Sequence, residues 1–222
     1  MDYIFYLIIV TLLLASAQLA IHSAYSKYSR IETNCQKTGV EVIGEMQIKH
    51  NLSEISVYKI PGELTDHYDP RNKSIGLSSL NYNTSTIAGI AVASHEMGHA
   101  IQDREGYFFL KLRHGMGKLT IVASNLSWIV IYLGFIIWYL PFIYVGIALF
   151  AITVLFDLIT LPVEINASKR AAEYLKQTGD YNEQELIGVR KVLRAAAFTY
   201  IASTLAGALQ LLRLIGIVRR ND

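Results

Sequence analysis

The hydrophobic pattern divides the chain before any single residue does. Residues 3–21 carry no charge and are dominated by Ile, Leu, Val and Ala, about the length a helix needs to cross hydrocarbon. Ala15-Ser16-Ala17 has the small residues of a signal-peptide cleavage site. However, Asp2 precedes the run and no Lys or Arg does, so the segment is expected to stay as an anchor. A longer uncharged run lies between Lys118 and Asp157, broken by Pro141 among Trp138, Tyr139 and Phe142. This predicts two spans, 119–139 and 142–161, joined by a tight turn at the interface. Asp157 then reads as an interfacial acid. A last apolar stretch, 195–218, is interrupted by Gln210 and Arg213 and either spans, re-enters or lies along the surface.

Between the first two runs the period changes. Ile55-Ser56-Val57-Tyr58-Lys59-Ile60 alternates and is β-branched, predicting a strand ended by Pro61-Gly62. Glu41-Val42-Ile43-Gly44 fits a short strand or a helix end. Asp66-His67-Tyr68-Asp69-Pro70 is turn chemistry, and the segment around Ser74, Ile75, Gly76 and Leu77 predicts a short edge strand. After Asn83-Thr84-Ser85-Thr86, which offers several capping side chains, 87–102 is alanine-rich and helix-periodic and closes near Gly106.

Composition agrees with a membrane solvent: 52% of the 222 residues are hydrophobic and only 17% charged. That length suits one unit, read here as a single integral-membrane domain over 1–222. Its extramembrane portion would be 25–116 plus 162–194. The expected fold is mainly α, three or four transmembrane helices with a small α+β, zincin-like part outside the bilayer. The net charge of +2 is dispersed, with no basic block interleaved with exposed aromatics, so nucleic acid is not an expected partner. Cys35 is the single cysteine, which excludes an intrachain disulfide and a multi-cysteine metal site. Lys27 and Arg30, Lys111, Arg113 and Lys118, and Lys169 and Arg170 flank the spans on what should be the cytoplasmic side. A spanning fourth helix would leave Arg219 and Arg220 outside, against the same rule.

The chemistry concentrates in His95-Glu96-Met97-Gly98-His99. Residues four apart on a helix share a face, so His95 and His99 can offer two imidazoles to one ion. Glu96 lies beside that face. Its carboxylate can take a proton from a metal-activated water and pass it to a leaving amine. The metal makes this feasible at neutral pH by lowering the pKa of that water to about 7. Chance production of the three fixed positions has a probability on the order of one in a hundred. A catalytic zinc needs a third protein ligand and keeps one place for water. Glu164 is favoured over His67 and His114: Pro162 suits a helix start, Ala167, Ala171 and Ala172 suit a tightly packed helix, and Gly179 suits its end.

Three segments, Asp66-His67-Tyr68-Asp69-Pro70, His95-Glu96-Met97-Gly98-His99, and Val163-Glu164-Ile165-Asn166-Ala167-Ser168 with Arg170-Ala171, resemble in order and spacing the YugP family of neutral zinc metallopeptidases. More distantly the plan resembles the HtpX and CAAX prenyl endopeptidase group. That likeness implies Glu164 as the third zinc ligand and places Ser168 where the group has a bracing aspartate. A serine there offers one hydrogen bond but no charge to raise imidazole basicity. The resemblance also implies that the strand of Ser74, Ile75, Gly76 and Leu77 adds substrate backbone as a further strand.

The chain is therefore expected to be a membrane-embedded zinc metalloendopeptidase of gluzincin-like type, with one Zn2+ per chain, acting on a polypeptide or membrane-protein substrate from within the lipid bilayer. The expected location is a bacterial plasma membrane, with the active site facing the cytoplasm. Candidates for stabilising the oxyanion are His67, Tyr68, His114 and Arg170. A non-catalytic zinc-binding scaffold or chaperone-like polypeptide binder would keep the metal without cutting. A small transporter would need more polar groups within its spans than Asn125 and Asp157.

Overall fold

Within hydrocarbon every backbone N–H and C=O must be paired inside its own segment, so long uncharged runs become helices. The computed structural model describes residues 3–221, which leaves Asp2 of the anchor argument outside the described residues. The elements in order are α1 (Tyr3–Tyr28), α2 (Gly39–His50), β1 (Ser56–Ile60), β2 (His67–Asp69), β3 (Ser74–Ser78), α3 (Ser79–Asn83), α4 (Ile87–Glu105), α5 (Phe108–Ile136), α6 (Leu140–Thr178) and α7 (Glu183–Asn221). Among the described residues four helices, α1, α5, α6 and α7, are long and apolar enough to cross a membrane. Contacts divide the chain into two units, and α1, α6 and α7 each contribute to both.

The first unit comprises Met1–Ala15, Phe108–Pro162 and Tyr200–Asp222. Here α5 and α6 form the expected hairpin. Trp138 adopts a left-handed φ of 56° in the connection, Tyr139 N–H donates to Gly134 O at 2.9 Å, and Pro141 occupies the first turn of α6, where a missing N–H costs nothing. A Cβ at Gly146 would lie 2.9 Å from both Ile131 N and Ser127 O. The hairpin thus closes backbone to backbone, as small residues permit in membranes. The ambiguous stretch 195–218 is part of one continuous helix, α7. Arg213, which made it ambiguous, lies over the rings of Tyr3 and Tyr6, at 4.2 and 5.0 Å from their centroids. Cation–π contact gives that charge a partner within the otherwise uncharged stretch 195–218.

The second unit comprises Ser16–Tyr107 and Val163–Thr199. The segment read as strand or helix end is a helix, α2. Its start is a capping box: Thr38 Oγ1 accepts from Glu41 N–H, and the Glu41 carboxylate accepts from Thr38 N–H at 2.8 Å. Two expectations change in the sheet. His67-Tyr68-Asp69, read as a turn, is the strand β2, because pairing with β3 supplies its backbone partners. Ser74, Ile75, Gly76 and Leu77 do form a strand, but not an edge. β3 is central, parallel to β1 and antiparallel to β2, and wholly buried. The apolar run Ile75–Leu77 buries both faces of the sheet's middle, and the open edges belong to β1 and β2.

Helix α4 is buried along most of its length and carries the core with Val42, Ile43 and Met46 of α2, Ile75 and Leu77 of β3, and Ala171 and Leu175 of α6. Thr86 caps its start by accepting from Gly89 N–H at 3.2 Å, and Gly106, with φ 67°, closes it. Pro162 does not begin a helix: α6 runs through it without interruption. A proline inside a helix removes one hydrogen bond, and here Val163, Ala167 and Ala171, all fully buried, hold the chain helical beyond it.

Close approach of α4 to α6 needs a missing side chain. A Cβ at Gly98 would sit 2.8 Å from Ala167 O and 3.2 Å from its Cα, all backbone. Gly98→Ala should therefore lower stability by about 1–3 kcal/mol through overpacking, read by thermal unfolding in detergent. Gly44→Ala, in α2 with nothing within 4 Å of the added carbon, should instead raise it by about 1 kcal/mol.

Candidate metal centre

One helical turn on α4 brings His95 and His99 together, ring centroids 4.7 Å apart and nearly perpendicular. On α6, Glu164 lies one turn before Ser168, and the Gly98–Ala167 approach brings this stretch beside the two rings. Glu164 Oε2 is 3.2 Å from His95 Nε2 and 3.5 Å from His99 Nε2. One ligand atom from each of the three residues lies within 4.8 Å of the others. Tetrahedral zinc with bonds near 2.0–2.1 Å separates its ligand atoms by about 3.4 Å. The two distances from Glu164 match that edge and the third pair lies within 4.8 Å, so the donor set suits zinc in type and, on its two glutamate edges, in spacing. Glu164 and His99 are buried and His95 is half-buried. Buried carboxylate between two imidazoles is an arrangement that a cation stabilises.

Glu96 follows His95 on α4 and so leaves the ligand face. It is 8% exposed. Burial pushes its carboxyl up to about 7, with His95 and His67 opposing the shift and Glu164 and Asp66 adding to it. A carboxyl near neutrality is the kind that both accepts and returns a proton.

The other residues singled out by sequence are distributed unevenly. Ser168 Oγ is 3.1 Å from His95 Nδ1 and so supports the ring whose Nε2 faces Glu164. Tyr68 OH donates to Asp103 Oδ2 at 2.7 Å. His67 is exposed and is held by Tyr58 OH at 3.2 Å and Thr65 O at 3.0 Å. Arg170 donates from Nε to Asn166 Oδ1 at 2.7 Å and from Nη2 to Glu105 Oε2 at 2.6 Å. His114 is exposed on α5, in the other unit. Among the described residues the three-group cluster contains neither His67 nor His114.

Sequence reasoning missed Gln102. Its Oε1 lies 3.0 Å from His99 Nδ1, and its amide nitrogen donates to Val163 O at 2.8 Å and to Asn166 Oδ1 at 2.9 Å. The available signal was spacing: a glutamine three residues after the second histidine shares its face.

Comparison with known proteins agrees with this chemistry. Residues 3–219 match the family described as "Putative neutral zinc metallopeptidase". A relative in Bacillus subtilis (strain 168), described as "Putative membrane protease YugP", is 40% identical over 201 residues, covering 90% of this chain and 89% of its own. No solved structure matches significantly. With four apolar helices and a relative of that description, this is a membrane protein. By a match that spans nearly its whole length, the chain belongs to the family of neutral zinc metallopeptidases.

Proposed function

We propose that the chain is a membrane-embedded zinc metalloendopeptidase, a single catalytic domain in which His95, His99 and Glu164 hold one Zn2+. The observation that carries this reading is the convergence of those three donors at zinc-like separations, with the buried Glu96 next along α4. When bound, zinc would supply Lewis acidity, acidifying a water and polarising the scissile carbonyl. Glu96 holds the proton taken from that water and returns it to the leaving amine. Ser168 and Gln102 keep the two rings in place through their Nδ1 atoms. Substrate is polypeptide, either soluble or membrane-inserted. The open edges of the sheet, β1 and β2, can accept an extended chain by strand addition, the role first expected of β3.

The basic flanks support placing the catalytic part on the cytoplasmic side of a bacterial plasma membrane. In that topology the Trp138 turn is outside. The contact of Arg213 near one end of α7 with Tyr3 and Tyr6 at the start of α1 fits a fourth span whose end returns to the side where α1 begins.

Elemental analysis should find about one zinc per wild-type chain, and His95→Ala and Glu164→Ala should lose it together with casein cleavage. Glu96→Gln should retain zinc while cleavage falls by about 100- to 10,000-fold. Full zinc occupancy in Glu164→Ala would remove the third ligand, and undiminished cleavage by Glu96→Gln would remove the mechanism. For orientation, Trp138, 92% exposed, is replaced by cysteine in a Cys35→Ser background and compared with Lys111→Cys. An impermeant maleimide should label position 138 in intact cells and position 111 only after permeabilisation; the reverse pattern would invert the topology.

A further inference from the structure

Side-chain amides usually leave open which end is oxygen, but the chemistry around Gln102 decides it. Arg170 Nε can only donate, so the Asn166 atom it meets at 2.7 Å is an acceptor oxygen. Val163 O is a carbonyl and can only accept. The Gln102 atom that reaches both Val163 O and Asn166 Oδ1, at 2.8 and 2.9 Å, is therefore the NH2 group, which spends one hydrogen on each. What remains facing His99 Nδ1 at 3.0 Å is the Gln102 carbonyl oxygen. Two acceptors cannot bond, so His99 Nδ1 must carry a proton, and in the neutral ring Nε2 is left as a bare lone pair. That lone pair faces Glu164 Oε2 at 3.5 Å.

We infer that Gln102 is a positioning residue that sets the tautomer of His99, holding its Nε2 lone pair toward Glu164 and so preparing the pair for a cation. The inference rests on the metal-centre reading for its purpose but not for its geometry. Gln102 is fully buried, so bulk solvent does not reach these bonds. The same amide grips the carbonyl of Val163, the residue before Glu164, and therefore ties the ring on α4 to the backbone that presents the third ligand on α6. Arg170, in ion pair with Glu105, anchors the far end through Asn166. His95 has no such commitment, because the hydroxyl of Ser168 can donate or accept.

The test uses full-length protein in detergent micelles with 15N-labelled histidine, the His99 signals being assigned by their loss in His99→Gln. In zinc-free wild type at a pH where the ring is neutral, the proton should reside on Nδ1. In Gln102→Met, similar in volume but without donors and with only a weakly accepting thioether, it should spread over both nitrogens, and zinc affinity measured by chelator competition should fall about 10- to 100-fold. A wild-type ring protonated on Nε2 overturns the inference even if the variant fails to fold. A folded Gln102→Met with unchanged tautomer and zinc affinity overturns it as well, and leaves the metallopeptidase reading intact. Conversely, wild type that binds no zinc but keeps its proton on Nδ1 upholds the Gln102 assignment and defeats the metal-centre reading.

Discussion

The site depends on one steric fact, the approach of α4 to α6 where Gly98 meets the backbone of Ala167. Glu164 is three residues before that contact and His95 three before Gly98, about one helical turn in each case, while His99 directly follows Gly98. Close approach at that point sets the Glu164 carboxylate 3.2 and 3.5 Å from the two imidazoles. The alanines at 167 and 171 repeat the requirement along α6, and both are fully buried. Local sequence thus supplies a helix with two histidines, but close packing makes a three-donor centre of it.

Burial then decides the electrostatics. A carboxylate sequestered with two imidazoles loses its hydration and must find positive charge or strong donors nearby. Here the Nδ1 side of each ring is occupied by a polar partner and the Nε2 sides converge on Glu164, a set of groups that a cation would find already assembled. Preorganisation of this kind reduces the reorganisation that binding would otherwise require. Glu96 experiences the same dry surroundings without an equivalent partner set. Its carboxyl therefore rises to about 7. In the proposed mechanism one environment thereby suits two neighbouring acids to different tasks, a ligand and a proton carrier.

What the sequence disclosed follows from how local each signal is. The histidine helix and its Gly106 end stand as read, and of the four capping candidates at 83–86 it is Thr86 that caps the start. The α5–α6 hairpin was legible because a bilayer imposes length and charge rules that need no tertiary knowledge. Tertiary pairing was not legible. Glu41-Val42-Ile43-Gly44 looked undecided because Val and Ile suit strands as well as a buried helix face, although the Thr38 and Glu41 capping pair was present in the sequence. β3 was mistaken for an edge because five residues of strand sequence do not say how many neighbours the strand will have. β2 was read as a turn since Asp69 does make turn bonds to Arg71 and Asn72, just past its strand pairing. For Gln102 only the spacing from His99 is local; its other partners, Val163 and Asn166, are about sixty residues away in sequence.

Pro162 shows the same limit from the other side. By local rules it should begin a helix, and placing a proline inside one costs about 3 kcal/mol or more. The chain stays helical through it, with Glu164 only two residues on. That conformation is sustained from outside the segment: Val163, Ala167 and Ala171 are fully buried, and the Gln102 amide binds Val163 O in the turn that follows the proline. The position of Glu164 is accordingly a property of packing and of one buried amide, and helix propensity opposes it. A substitution that loosens those contacts therefore acts at a point where the local sequence already disfavours the functional geometry, so its effect should appear at Glu164 before it appears elsewhere in α6.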